Sequence, residues 1–107
     1  MENGKKVVDF VDNAEDFELP LLGTLEGQIL ILESANFDSS SYGAYAVIGL
    51  TIESQAKAGT QYFRSSGTAI LNQLERIQEN AFEKGLTMRV KLVKPEGKKY
   101  FVFVPPK

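Results

Sequence analysis

Cysteine is missing from this chain, which excludes disulfides, thiolate nucleophiles and zinc–sulfur sites. Histidine is missing as well. That removes the side chain most often used for acid–base chemistry near neutral pH and the commonest transition-metal ligand, leaving carboxylates, Lys, Tyr or Ser for any catalysis. The opening residues, MENGKKVVDFVDNAEDFE, hold no apolar run fit for a signal peptide or a membrane span, so a cytoplasmic location without a membrane partner is expected. No repeat, low-complexity block or linker interrupts the chain. What is present is ordinary: 107 residues, 43% hydrophobic and 24% charged, the size and composition of one domain with its own core.

The charge is unevenly placed. Residues 1–56 hold 2 Lys against 10 Asp or Glu, whereas residues 57–107 hold 10 Lys or Arg against 4 Glu, so the net charge of −2 conceals an acidic half and a basic half. In the basic half the cations stand among aromatics, as in YFRSS and KPEGKKYFVFV. That mixture suits a surface meeting a polyanion that carries flat bases.

Residues 1–20 read as an acidic arm and residues 21–107 as the body. Asp12 to Glu18 lack the Gly and terminal Glu spacing of a calcium loop and read as a solvated acidic face. Branched residues 25–33 predict a first strand, residues 36–43 a turn-rich link, and residues 44–53 a second strand with Ala46, Ile48, Leu50 and Ile52 on its apolar face. Gly49 in its middle predicts a bulge or bend. After a turn at residues 55–59, a third strand at residues 60–64 sets Tyr62 and Arg64 on one face. Ser65 or Ser66 then caps a helix whose Ile70, Leu74, Ile77 and Ala81 form one stripe, and Gly85 stops it. Residues 86–93 alternate, with Leu86, Met88, Val90 and Leu92 inward and Arg89 and Lys91 outward; residues 99–104 close the chain before Pro105 and Pro106.

Three strands, one helix and two strands predict an all-β chain with one helix: a five-stranded OB-fold-like Greek-key barrel, with the helix between strands 3 and 4. An SH3-like barrel fits the helix less well. Gly43-Ala44-Tyr45 opening the second strand, Tyr62 to Thr68 leading into the helix, and Gly97 to Phe103 closing the chain resemble the small OB-fold single-stranded-DNA-binding proteins of phages and related replicons. The resemblance runs over roughly residues 25–104. It implies a non-enzymatic protein that binds single-stranded DNA with little sequence preference, in replication, recombination or repair, in the host cytoplasm if the source is viral or a mobile element. The long Gly/Gln-rich tail with an acidic apolar tip of the better-known bacterial proteins has no counterpart here.

OB barrels that bind single strands use the exposed faces of strands 2 and 3 with the flanking loops. Those places hold Phe37, Tyr42, Tyr45, Lys57, Tyr62, Arg64, Lys94, Lys98, Lys99 and Tyr100, and Arg89 and Lys91 add cations along the fourth strand; these twelve are the expected nucleic-acid contacts. Aromatics supply stacking platforms and cations meet phosphates; RNA is the alternative strand. Phe63, Phe101 and Phe103 read as core. No metal, cofactor or catalytic residue is assigned: Ser65-Ser66-Gly67 comes without a P-loop fingerprint, and Glu75 and Glu79 lie one turn apart on a solvent face. The alternative function is a small-barrel protein-interaction or assembly module whose aromatics are buried in a homo-oligomer.

Overall fold

The computed structural model describes residues 18–106. All but the last three residues of the expected acidic arm lie outside them. Among the described residues the chain is mostly β with one α-helix: β1 Ile29–Ser40, β2 Gly43–Ile52, β3 Gln61–Ser65, α1 Thr68–Asn80, β4 Met88–Val93 and β5 Val102–Val104. The strands form one open antiparallel sheet in the order β3-β2-β1-β4-β5.

The alternation of β2 sets the core. Ala46, Ile48, Leu50 and Ile52 are buried as their spacing predicts, against Leu30 and Leu32 of β1, Phe63 of β3 and Leu92 of β4. Helix α1 presents Ile70, Leu74 and Ile77, with Ala81 just beyond, to the same core. Each fully buried Leu or Ile contributes about 1.5–3 kcal/mol through removal of its apolar surface from water. Phe63 and Phe103 are core side chains, as expected, and Phe101 packs at the core's margin.

Five local expectations change; the first strand starts at Ile29 rather than residue 25, because Leu22–Leu25 wind into a 3-10 turn that buries Leu22 and Leu25. Residues 36–40 are strand rather than link, because β1 pairs with β2 along its whole second half; only Ser41 and Tyr42 turn, and Gly43 takes φ 117°, open chiefly to glycine. Pairing across the hairpin overrides the turn preference of Asn, Asp and Ser. The bulge lies on β1, where register passes from Leu32–Leu50 to Ser34–Gly49 and Glu33 is the extra residue. The helix begins after Gly67 with no side-chain cap: Ser65 still belongs to β3, opposite Ala46, and its hydroxyl accepts only from the Gly67 N–H at 3.4 Å. Finally, Leu86 is exposed and residues 99–101 are loop. The Leu86 N–H is held by the Ala81 carbonyl at 2.9 Å, and Phe101 packs against Gly23, where a Cβ would stand 2.8 Å from its ring.

Both sheet edges are partly covered. The Arg64 N–H donates to the Pro20 carbonyl at 3.0 Å, beside a parallel bridge between Leu21 and Arg64. On β5, the Gln73 side chain of α1 donates to the Phe103 carbonyl at 2.9 Å and accepts from the Phe103 N–H at 2.8 Å. Among the described residues no ladder joins β3 to β5.

Candidate nucleic-acid interface

The face of β1, β2 and β3 turned away from the core is organised in rows by the strand register. Asp38 stands opposite Tyr45; Asn36, Val47 and Arg64 form the next row; Ser34, Gly49 and Tyr62 the one after. Two residues along a strand separate neighbouring rows, about 7 Å. Tyr62, Arg64 and Tyr45 therefore follow one another on one face.

Gly49 explains the posture of Tyr62. A Cβ placed on Gly49 would lie 3.1 Å from Cε1 of Tyr62 and 2.6 Å from Oγ of Ser34, so the ring lies over the glycine and leans on the sheet. With 51% of its surface exposed, Tyr62 keeps the outer side of its ring open. The strand beneath thus supports one edge of the ring, at Cε1 and Cδ1, while half of the side chain stays open to solvent.

Arg64 stands where two hollows adjoin. The first is lined by Ser40, Tyr42, Gly43, Tyr45, Arg64 and Ser66, at the tip of the β1–β2 hairpin. The second lies between the end of β3 and the loop before β5, among Leu21, Arg64, Ser66, Lys99, Tyr100 and Phe101. Arg64 and Ser66 are common to both. Residues of the β1–β2 hairpin tip and of the β4–β5 loop thus both flank the end of β3.

The expected contacts divide accordingly. Arg64, Tyr45 and the 90%-exposed Tyr42 share the first hollow, Arg64, Lys99 and the half-exposed Tyr100 share the second, and Tyr62 stands one row from Arg64. Tyr45, only 3% exposed, lines the first hollow and offers no open ring face. Phe37 stands opposite Ala46, on the core side of the sheet, away from Tyr62. Lys57 projects from the turn after β2, at the far end of that strand from Tyr45. Arg89 and Lys91 lie on β4 opposite Ile31 and Ile29, across β1 from the β2–β3 rows. Lys94 is drawn over the Phe101 ring at 5.6 Å, and Lys98 is exposed in the same loop.

Arg89 is committed elsewhere. Its Nε and Nη2 donate to both carboxylate oxygens of Glu53 at 2.5 and 3.0 Å. These hydrogen bonds hold the Glu53 carboxyl below its ordinary value and raise that of Arg89, so a phosphate reaching Arg89 must displace a carboxylate. The whole chain carries a net charge of −2, so any attraction for a polyanion would rest on where cations sit rather than on net charge.

Sequence reasoning missed Ser34, Ser66 and the Glu33 carboxylate, which binds the Thr51 and Thr60 hydroxyls on the same face. The glycine inside a strand was the available signal for the first, since such glycines mark close approach as well as bulges. Among the described residues no three carboxylates gather as metal ligands would, and no helix is long and apolar enough to cross a membrane. No protein family matches the chain, and no curated protein or solved structure does either.

Proposed function

We propose that the outer face of β1, β2 and β3 binds single-stranded DNA without catalysis and with little sequence preference, the bases stacking on Tyr62 and Tyr100 and the phosphates meeting Arg64 and Lys99. The observation that carries this reading is the Tyr62 ring laid over Gly49, open outward and one row from Arg64. A flat apolar surface with a cation one nucleotide step away suits an extended single strand and gives a duplex nothing to insert into. The role it fits is protection of exposed strands in replication, recombination or repair.

An OB-type barrel is the fold reading that goes with it. The strand order supports it: β4 returns beside β1 after the β1–β2–β3 meander, as in a Greek key, and the helix falls between β3 and β4. The second hollow, with residues of β3 on one side and Phe101 just before β5 on the other, is where such a sheet would close.

The test is titration of a fluorescent oligo-dT of about 20–30 nucleotides, first at low salt and then at rising salt. Affinity should fall linearly on a log–log plot as counterions compete, and Tyr62→Ala should weaken it roughly 5- to 150-fold, the equivalent of about 1–3 kcal/mol per stacked base. No binding at tens of micromolar protein would sink the proposal. A second reading, a homo-oligomeric assembly module, draws on β1, whose residues 34–40 are paired only on the β2 side among the described ladders. Failure of oligo-dT to bind, together with a dimeric or larger mass by light scattering, would favour it.

A further inference from the structure

The row next to Tyr62 carries a charge that nonspecific strand binding does not call for. Glu33, the bulge residue of β1, reaches across β2: its Oε2 accepts from the Thr51 hydroxyl and its Oε1 from the Thr60 hydroxyl, each at 2.6 Å. Thr51 lies two residues beyond Gly49, and Thr60 two residues before Tyr62. The two hydroxyls therefore fix the carboxylate one row from the ring, about 7 Å along the strands. That distance is within reach of the edge of a base lying on Tyr62.

A carboxylate offers about four lone-pair directions. Each oxygen of Glu33 has one hydroxyl donor, so both keep a second acceptor direction, and the group is only half-buried. The bases of a single strand have free Watson–Crick edges. Guanine alone among them sets two adjacent donors there, N1–H and the N2 amino group, matching two parallel acceptor oxygens. Thymine turns two carbonyls toward the carboxylate around one N–H, which is the repulsive case.

We infer that Glu33, held by Thr51 and Thr60, selects guanine for the base stacked on Tyr62, giving one biased position on an otherwise sequence-tolerant face. The inference rests on the reading of this face as a single-strand site. Glu33 acts as the specificity-determining acceptor, and its negative charge lowers affinity for every other base at that position.

Three oligonucleotides of equal length test it in lithium buffer, which suppresses guanine quartets: oligo-dT, a repeat of dT-dT-dG, and the same repeat with deoxyinosine, which lacks the N2 amino group. The guanine repeat should bind roughly five- to thirtyfold tighter than oligo-dT, with the inosine repeat between them. Glu33→Gln, which removes the charge, should bring the guanine preference near unity and tighten the binding of oligo-dT. Equal affinities in the unaltered protein, or a guanine preference that survives Glu33→Gln, would overturn the inference while leaving the face a strand-binding site. The inosine comparison needs no variant and stands if the substitution unfolds the protein. Failure of all three strands to bind overturns the reading of the face itself, and the selection with it.

Discussion

Replacing Gly49 with Ala tests whether the Tyr62 ring is held in the posture on which the binding face depends. The new methyl would enter 2.6 Å from Ser34 Oγ and 3.1 Å from Tyr62 Cε1, with Cδ1 of the same ring at 3.6 Å. The first distance is shorter than van der Waals contact permits, so the serine hydroxyl must turn away or the strands must part. Overpacking of this kind costs about 1–3 kcal/mol, and replacing glycine inside a strand returns roughly 0.5–1 kcal/mol of it. The expected net loss is about 0.5–2 kcal/mol. Urea unfolding of four proteins measures it: the parent, Gly49→Ala, Ser34→Ala and the double variant, with equal m-values required for comparison. Removing the Ser34 hydroxyl should cost less in the Gly49→Ala background than in the parent, because it relieves the tightest contact. Gly49→Ala should also tilt the ring and weaken oligo-dT binding, which the Ser34→Ala relief does not restore because the ring contact remains. A Gly49→Ala protein as stable as the parent, with Ser34→Ala equally costly in both backgrounds, would refute the close packing of these three residues.

Alternation and helical spacing made the core legible from the sequence. Residues 44–53 and the stripe from Ile70 to Ala81 announce their buried faces because side-chain direction follows local periodicity. The bulge at Glu33 and the extension of β1 to Ser40 were not legible, since both depend on which strand lies alongside and in what register. The same holds for the site. Tyr62 and Arg64 share a face by parity alone, whereas the loss of Phe37 to the core side follows from its pairing with Ala46, beyond a bulge that reverses parity along β1. Arg89 was a free cation on paper. Its partner Glu53 lies 36 residues away in the chain, and no sequence pattern joins them.

Three further substitutions, at two sites, probe contacts that hold the sheet. Glu53→Gln removes the acceptor of Arg89; because the folded Glu53 is held below its ordinary value of 4.5, its contribution is complete above that pH and is lost as pH falls through the lowered folded value. Thermal melts should therefore show little change near neutrality, where an exposed pair contributes little, and a shallower decline for the variant below about pH 4.5. The other site is Gln73, whose amide supplies both a donor and an acceptor to Phe103 on the edge of β5. Gln73→Ala leaves that N–H and carbonyl without their partner at the margin of the core, a loss of about 1–3 kcal/mol in urea unfolding, with faster hydrogen exchange at the Phe103 amide. Gln73→Glu separates the two halves of the contact: a carboxylate oxygen still accepts from the Phe103 N–H, but its other oxygen faces the Phe103 carbonyl and repels it. The Glu variant should therefore recover much of its stability on acidification, when a protonated carboxyl can donate to that carbonyl, and the Ala variant should not. If both variants matched the parent at neutral and acid pH, Gln73 would not be closing the β5 edge, and the stability of the open sheet would have to come from its apolar face alone.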